Sequence, residues 1–331
     1  MKRAAYATRG SVPQDVITCE EFETPPLSAG QVLLEVLAAP INPSDVLTLT
    51  GQYGMLPPLP AVGGNEGVGR VAQLGDGVTN IAVGQRVLLP VGMGTWTTHL
   101  VADASTLMPL PSIGDVKQLS MLVVNPPTAA LLLSEFVTLE PGEWVIQNAA
   151  NSAVGSYLIQ LAKRRGLRTV NVVRRESAVA DVQALGGDVV LVDDADLRHR
   201  VAEATNKAKI RLAIDAVGGK STDHLAQSVA IGGTVVNYGA MSGIPCTVSP
   251  GSFVFRDVTL RGFWLAFWFR QSTPQRQREL FTELATLIAT GQLSARVQRT
   301  FPIEQIKEAV QLAASGERDG KIIMTPNPEL L

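Results

Sequence analysis

From Trp144 to Gly262 the chain alternates short runs of aliphatic and β-branched residues with helical stretches, and few folds accept that rhythm. The first run is 144–147, and others follow at 169–173, 188–192, 211–216, 233–238 and 258–262, with helical patterns between most of them. After the first run, Val154, Leu158, Leu161 and Ala162 recur on one helical face, and Gly166 suits the helix stop. A parallel strand pair needs a long crossover, and a helix is the usual one. The alternation therefore predicts an α/β architecture with a doubly wound parallel sheet, while leaving the strand order open.

The flanks read differently. Runs at 31–36, 68–74 and 86–90 look like strands, and Gly63-Gly64, Gly75-Asp76-Gly77 and Gly92-Met93-Gly94 punctuate them. Short strands at such spacing predict a barrel-like or folded-sheet domain. Past Trp268 the rhythm changes again, to an amphipathic helix over 275–289, a shorter one over 303–314 and a terminal strand over 321–324. A length of 331 residues suits two domains.

Composition narrows the function. Apolar residues at 46% against 18% charged argue against disorder. A net charge of -2 with no basic run beyond doublets such as Arg164-Arg165 argues against a nucleic-acid partner. No membrane span is expected: Asn125-Pro126-Pro127 interrupts the uncharged stretch 118–134, and the stretch ending at Phe255 is rich in Gly, Ser and Pro. The basic start Met1-Lys2-Arg3 lacks a following apolar region, and Asp15, Glu20, Glu21 and Glu23 come early, so no signal or transit segment is expected. Cys19 and Cys246 suggest no disulfide scaffold. A cytoplasmic protein with reduced thiols is the expectation.

Two features point to a dinucleotide. Around 148–155, small residues at Ala149, Ala150, Ser152, Ala153 and Gly155 would let a backbone turn approach a pyrophosphate at a helix N-terminus. The G-x-G-x-x-G pattern is absent, so the turn by itself suits an ordinary strand–helix connection equally well. Arg174-Arg175 then closes the next strand, about 20 residues further on, where an NAD binder places an acid. An arginine fork there suits the 2′-phosphate of NADPH, the alternative being a solvated pair at a strand end. Metal chemistry has little to stand on. His99, His199 and His224 are scattered, and two cysteines cannot build a four-cysteine site.

The segment Gly63-Gly64-Asn65-Glu66-Gly67-Val68-Gly69 resembles the glycine-rich stretch of the medium-chain dehydrogenases. Zinc members carry His where Asn65 stands, and their upstream Cys is replaced within Asn42-Pro43-Ser44-Asp45. Further segments resemble the zinc-independent, mitochondrial-type trans-2-enoyl-thioester reductases: Gly51-Gln52-Tyr53-Gly54, Gly94-Thr95-Trp96, Val124-Asn125-Pro126, Gln147-Asn148-Ala149-Ala150-Asn151-Ser152, Tyr238-Gly239-Ala240-Met241 and Leu260-Arg261-Gly262-Phe263-Trp264-Leu265. The likeness runs through nearly the whole chain, although quinone reductases carry similar Gly-x-Tyr-Gly text.

The resemblance implies a GroES-like catalytic domain over 1–122 and 265–331 and an NADPH-binding Rossmann domain over 123–264. It implies NADPH-dependent reduction of the double bond of an enoyl-CoA or enoyl-acyl-carrier-protein thioester. Tyr53 would be the catalytic acid: hydride arriving at the β-carbon drives negative charge onto the thioester oxygen, and a phenol, protonated at neutral pH, can donate to it. Asn125 would lie near the cofactor, with Ser152, Ala153, Val154 and Gly155 along the pyrophosphate and Arg174 and Arg175 at the adenosine phosphate. Tyr238, Gly239, Ala240, Met241, Phe263, Trp264 and Leu265 would flank the nicotinamide half, and Lys321 would be a late cofactor lysine. Trp264 and Trp268 would line an acyl pocket, their alternative being core or subunit interface. Phe267 and Phe269 make this segment more apolar than the family pattern, and Ala153 replaces a common Gly. A homodimer is usual for such proteins. Quinone or small-enone reduction, and a non-catalytic NADPH-binding role, stay open as alternatives.

Overall fold

Six short strands, none longer than six residues, line up in parallel in the order Val189–Val192, Arg168–Val173, Trp144–Gln147, Leu212–Asp215, Thr234–Asn237, Thr259–Gly262. Counted along the chain this is 3-2-1-4-5-6, the doubly wound dinucleotide-binding order that the alternation left open. This computed structural model describes residues 1–316 and 318–331. Trp144–Gln147 is buried along its whole length because it has strands on both edges and helices over the sheet, which explains its unbroken apolar text. Helix Ala153–Arg164 turns Val154, Leu158, Leu161 and Ala162 inward as the spacing predicts, and Gly166 follows with φ +69°.

The chain divides into two units, Asn125–Arg278 around this sheet and Met1–Val124 with Glu279–Leu331. The first crossing falls two residues after the expected 122. The return falls at 279, not at the expected 265, because the aromatic segment stays with the parallel-sheet unit. There Phe263 meets Phe136 edge-on at 6.0 Å, and Arg276 lies over Trp268 at 5.6 Å while pairing with Glu135 at 2.5 Å. A second difference is helix Asn125–Leu132, buried on every side. Its Asn-Pro-Pro start reads as an interruption, yet proline is tolerated in a first helical turn, where the N–H has no intrahelical acceptor.

The other unit is β-rich. Its larger sheet has seven strands, running from Val297–Phe301 through Lys321–Met324, Gln31–Ile41, Val68–Leu74 and Arg86–Leu88 to Met108–Pro109, with His99–Asp103 also on Gln31–Ile41. Gln31–Ile41 alternates buried and half-buried residues over its first half and is wholly buried over its second. Thr18–Glu21, Lys2–Tyr6 and Ala61–Val62 form a smaller sheet. Trp96, Phe301 and Ile41 are among the large side chains of this unit's core.

Candidate active site

In the parallel-sheet unit the site begins where strand Trp144–Gln147 ends. The Asn148 N–H donates to the Ile214 carbonyl at 3.1 Å, and the Ala150 N–H donates to the Val172 carbonyl at 3.2 Å. The turn is thus strapped to strands on both sides, at the point where the strand order reverses and α/β sheets open a ligand crevice. Ala149 adopts a left-handed φ of +47°, a conformation that costs a non-glycine residue about 1 kcal/mol. Ser152 caps the helix by accepting the Gly155 N–H at 3.1 Å. A Cβ on Gly155 would sit 2.5 Å from the Ala150 carbonyl oxygen, so the turn keeps the one glycine that its own closure demands. The N–H groups of Ala153 and Val154 precede any intrahelical acceptor, which suits an incoming phosphate. These features fit a dinucleotide pyrophosphate.

Behind the turn lies a knot that sequence reasoning missed. The fully buried Asp215 carboxylate accepts from Asn148 Nδ2 at 2.7 Å, Thr222 Oγ1 at 2.7 Å, Asn237 Nδ2 at 2.9 Å, and the Val217 and Gly218 N–H groups at 2.9 and 3.1 Å. Asn148 Oδ1 accepts the Ala216 N–H at 2.7 Å, so one amide side chain ties the first strand to the fourth. An Asp at a strand end with Gly-Gly three residues on was the only signal available.

Arg174 and Arg175 are exposed just past the second strand. Asp193, whose N–H donates to the Val173 carbonyl at 2.9 Å, follows the neighbouring strand and is held by Ser221 Oγ at 2.5 Å and His224 Nδ1 at 2.7 Å. Tyr238 and Gly239 are half-buried after strand Thr234–Asn237, and Ala240 and Met241 are exposed. Burial pushes the Tyr238 phenol far above its ordinary range, with a smaller opposing effect from a hydrogen bond with Ser152. Trp264 precedes helix Leu265–Gln271 and lies under the Arg270 guanidinium at 5.5 Å. Phe263 and Leu265, beside it, are half-buried. Trp268 is buried, and its indole Nε1 has no hydrogen-bond partner. Asn125 and Thr128, one turn apart on helix Asn125–Leu132, are both buried. Thr128 was not singled out in the sequence, although its spacing from Asn125 could have shown it.

In the β-rich unit Tyr53 follows helix Pro43–Thr50. Gly51 ends that helix at φ +77°, and the Gln52 and Tyr53 N–H groups both donate to the Leu47 carbonyl, at 2.8 and 3.2 Å. The helix itself is anchored at its start. Asn42 and Asp45 form a reciprocal cap, and Asn65 Nδ2 donates to Asp45 Oδ1 at 2.7 Å. Asn42 Nδ2 donates to Glu66 Oε1 at 2.7 Å, while Glu66 Oε2 accepts the Val123 and Val124 N–H groups at 3.0 and 2.9 Å. Lys321 Nζ donates to the Ile41 carbonyl at 3.1 Å and to Asn42 Oδ1 at 2.5 Å. Burial raises Glu66 to about 7 and Asp45 to about 6, and it lowers Lys321 to about 8; the lysine and the carboxylates each offset part of the other's shift.

Two family models match the chain: the alcohol dehydrogenase GroES-like domain over residues 28–112 and the zinc-binding dehydrogenase over 153–283. A mitochondrial enoyl-[acyl-carrier-protein] reductase of Rattus norvegicus is 39% identical over 320 residues, covering 94% of this chain and 85% of its own. The chain belongs to the zinc-independent medium-chain dehydrogenase/reductases. Among solved structures, a putative NADPH:quinone reductase of Bacillus thuringiensis superposes with a TM-score of 0.89 at 31% identity, over 98% of both chains. A complex of Etr1p with NADP and crotonyl-CoA gives 0.90 at 26% identity, over 98% of this chain and 99% of its own.

In this medium-chain reductase the residues at the zinc members' ligand positions serve one another. Asn65 is spent on Asp45, Asn42 on Glu66, and Lys321 brings the positive charge. The cofactor role expected of Lys321 gave no hint of this internal set of partners, and at least two of its three N–H donors are committed to it.

Proposed function

We propose that the protein reduces the trans-2 double bond of enoyl thioesters with NADPH, with Tyr53 as the proton donor. NADPH, when bound, supplies the hydride to the β-carbon. The Ala153 and Val154 N–H groups and the helix dipole behind Ser152 hold the pyrophosphate, and Arg174 and Arg175 pair with the 2′-phosphate. Asn125 and Thr128 offer buried polar groups to the nicotinamide half. Tyr238 to Met241 and Phe263 to Leu265 flank that half, and Trp264 and Trp268 line the acyl chain's path. The Tyr53 hydroxyl donates to the thioester oxygen as it becomes enolate, or delivers the proton to the α-carbon.

The observation that carries the reading is the anchoring of Tyr53. Its backbone hangs on the Leu47 carbonyl at the end of a helix whose start is locked by the Asn42–Asp45–Asn65 cap. A backbone held at that point leaves the phenol less to reorganise as charge develops. Loss of absorbance at 340 nm is to be followed with crotonyl- and hexenoyl-CoA and with quinones, using NADPH and NADH. Tyr53→Phe is expected to lose about 100-fold in turnover on enoyl thioesters. Turnover of quinones alone, barely touched by Tyr53→Phe, would establish the second reading, which the likeness to the Bacillus thuringiensis protein favours. NADPH binding with no turnover would leave the non-catalytic one.

The partner is a second copy of the chain. Strand Thr259–Gly262 ends the six-strand order with its outer edge unpaired among the described residues, and Val254 and Phe255 nearby are 72% and 82% exposed. Sedimentation of a dimer that Phe255→Glu weakens is the expected result. The carrier is either CoA or acyl-carrier protein. The proposed setting is the cytoplasm, a reducing compartment with which the free Cys19 and Cys246 are compatible. No helix among the described residues is long and apolar enough to cross a membrane.

A further inference from the structure

We infer that Arg9 is a positioning residue for Tyr53, a clip that closes the segment 51–57 from outside; this rests on the catalytic reading of Tyr53 given above. The segment has no strand partner of its own after the Leu47 carbonyl bonds, and all of it except Tyr53 is exposed. An exposed stretch of this kind, containing two glycines and ending in proline, has ample conformational freedom to lose. Arg9 touches it at both ends. Its stem lies against Gly51, where an added Cβ would come 3.3 Å from Arg9 Cδ, and a guanidinium N–H donates to the Pro57 carbonyl. The guanidinium also lies close enough to the phenol of the buried Tyr6 to oppose the upward shift that burial gives it, so the fork sits against the β-rich core. Beside it the Gly10 N–H donates to the Leu49 carbonyl at 3.2 Å, so residues 9 and 10 together seize the end of the Tyr53 helix and the loop beyond.

Arg9 Nε is buried without a hydrogen-bond partner. Leaving a charged group's N–H unmet is costly, and the Pro57 bond offsets part of that cost only while the loop stays in place. A planar fork can lie against Tyr6 and reach Pro57 together, whereas a lysine ammonium is a point donor on a flexible stem. Arginine at position 9 is therefore a geometric requirement and not merely a positive charge.

Arg9→Ala, Arg9→Lys, Tyr53→Phe and Arg9→Ala/Tyr53→Phe are compared with the wild type as full chains. Two measurements are made: steady-state kinetics on crotonyl-CoA with NADPH, and the rate of chymotryptic cleavage after Tyr53. Arg9→Ala is expected to lower kcat about tenfold with the KM for NADPH unchanged, and to speed cleavage after Tyr53 several-fold. In the Tyr53→Phe background the Arg9 substitution is expected to cost almost nothing more, since the two act as one unit. Millimolar guanidinium should restore part of the kcat of Arg9→Ala, and none in the double variant. Arg9→Lys, which keeps the stem and the charge, guards against simple misfolding and should still open the loop to chymotrypsin. Unchanged cleavage, or a kinetic cost that adds in full to that of Tyr53→Phe, would overturn the clip. Tyr53→Phe without loss sinks the catalytic reading and the inference with it. Faster cleavage with unaltered kcat sinks the inference alone.

Discussion

The two units each bury a polar knot that pins chain segments beside their candidate site residues, and the knots are built on opposite electrostatic plans. In the parallel-sheet unit Asp215 accepts from neutral donors: two side-chain amides, one hydroxyl, two backbone N–H groups and, at 3.9 Å, the Cys246 thiol. In the β-rich unit Glu66 and Asp45 share their buried space with the Lys321 ammonium. A carboxylate solvated by many fixed dipoles survives the loss of any single partner. A buried cluster balanced by one cation does not, because removing that cation strands charge in a medium that cannot solvate it.

The largest break in this comparison is expected from Lys321→Met. It strips the β-rich knot of the ammonium bonded to Asn42, and about 3–5 kcal/mol of stability should go with it, read as a shift in the urea midpoint. Asn148→Ala, which deletes one of several donors to Asp215, should cost only about 1–2 kcal/mol. If the two substitutions cost the same, the contrast between the knots is wrong.

A subtler separation lies in pH. Glu66 is raised from an ordinary 4.5 to about 7 in the fold. Between those values the folded chain holds a proton that the unfolded chain releases, so stability falls as pH rises through the window. Asp45, raised from 3.8 to about 6, slopes the same way, and Lys321, lowered from 10.5 to about 8, slopes oppositely above pH 8. Glu66→Gln should flatten the decline of Tm between pH 4.5 and 7. A variant with the wild-type slope would remove Glu66 from the account.

The smallest expected effect concerns binding. Replacing Arg174 and Arg175 with serine should raise the KM for NADPH about tenfold and leave that for NADH nearly unchanged. Equal losses for both would show that the pair serves the fold rather than the 2′-phosphate.

Much of the molecule was legible in the text of the chain. Each strand of the parallel sheet was expected within two residues of its observed ends, because burial on both faces writes a run of apolar residues that needs no knowledge of neighbours. The tight turn after Trp144–Gln147 was legible because small residues are a local requirement, and Gly155 shows why. Helix Asn125–Leu132 was not, since its prolines carry the same letters whether they break a helix or begin one. The return of the chain at 279 was hidden because aromatic residues such as Phe263 and Trp268 do not say which unit they pack against.

The sequence by itself determined the period of the elements, the two-part division and the small residues at the turn after Trp144–Gln147, all of which depend on neighbours a few positions away. Only the tertiary structure decided that Asp215 would gather so many donors, that Lys321 would meet Asn42 across 279 residues, and that Arg9 would reach Pro57 across 48. Such partners are selected by where strands and helices come to lie. A charged or amide side chain looks the same in the text whether it ends in water or at the centre of a buried network.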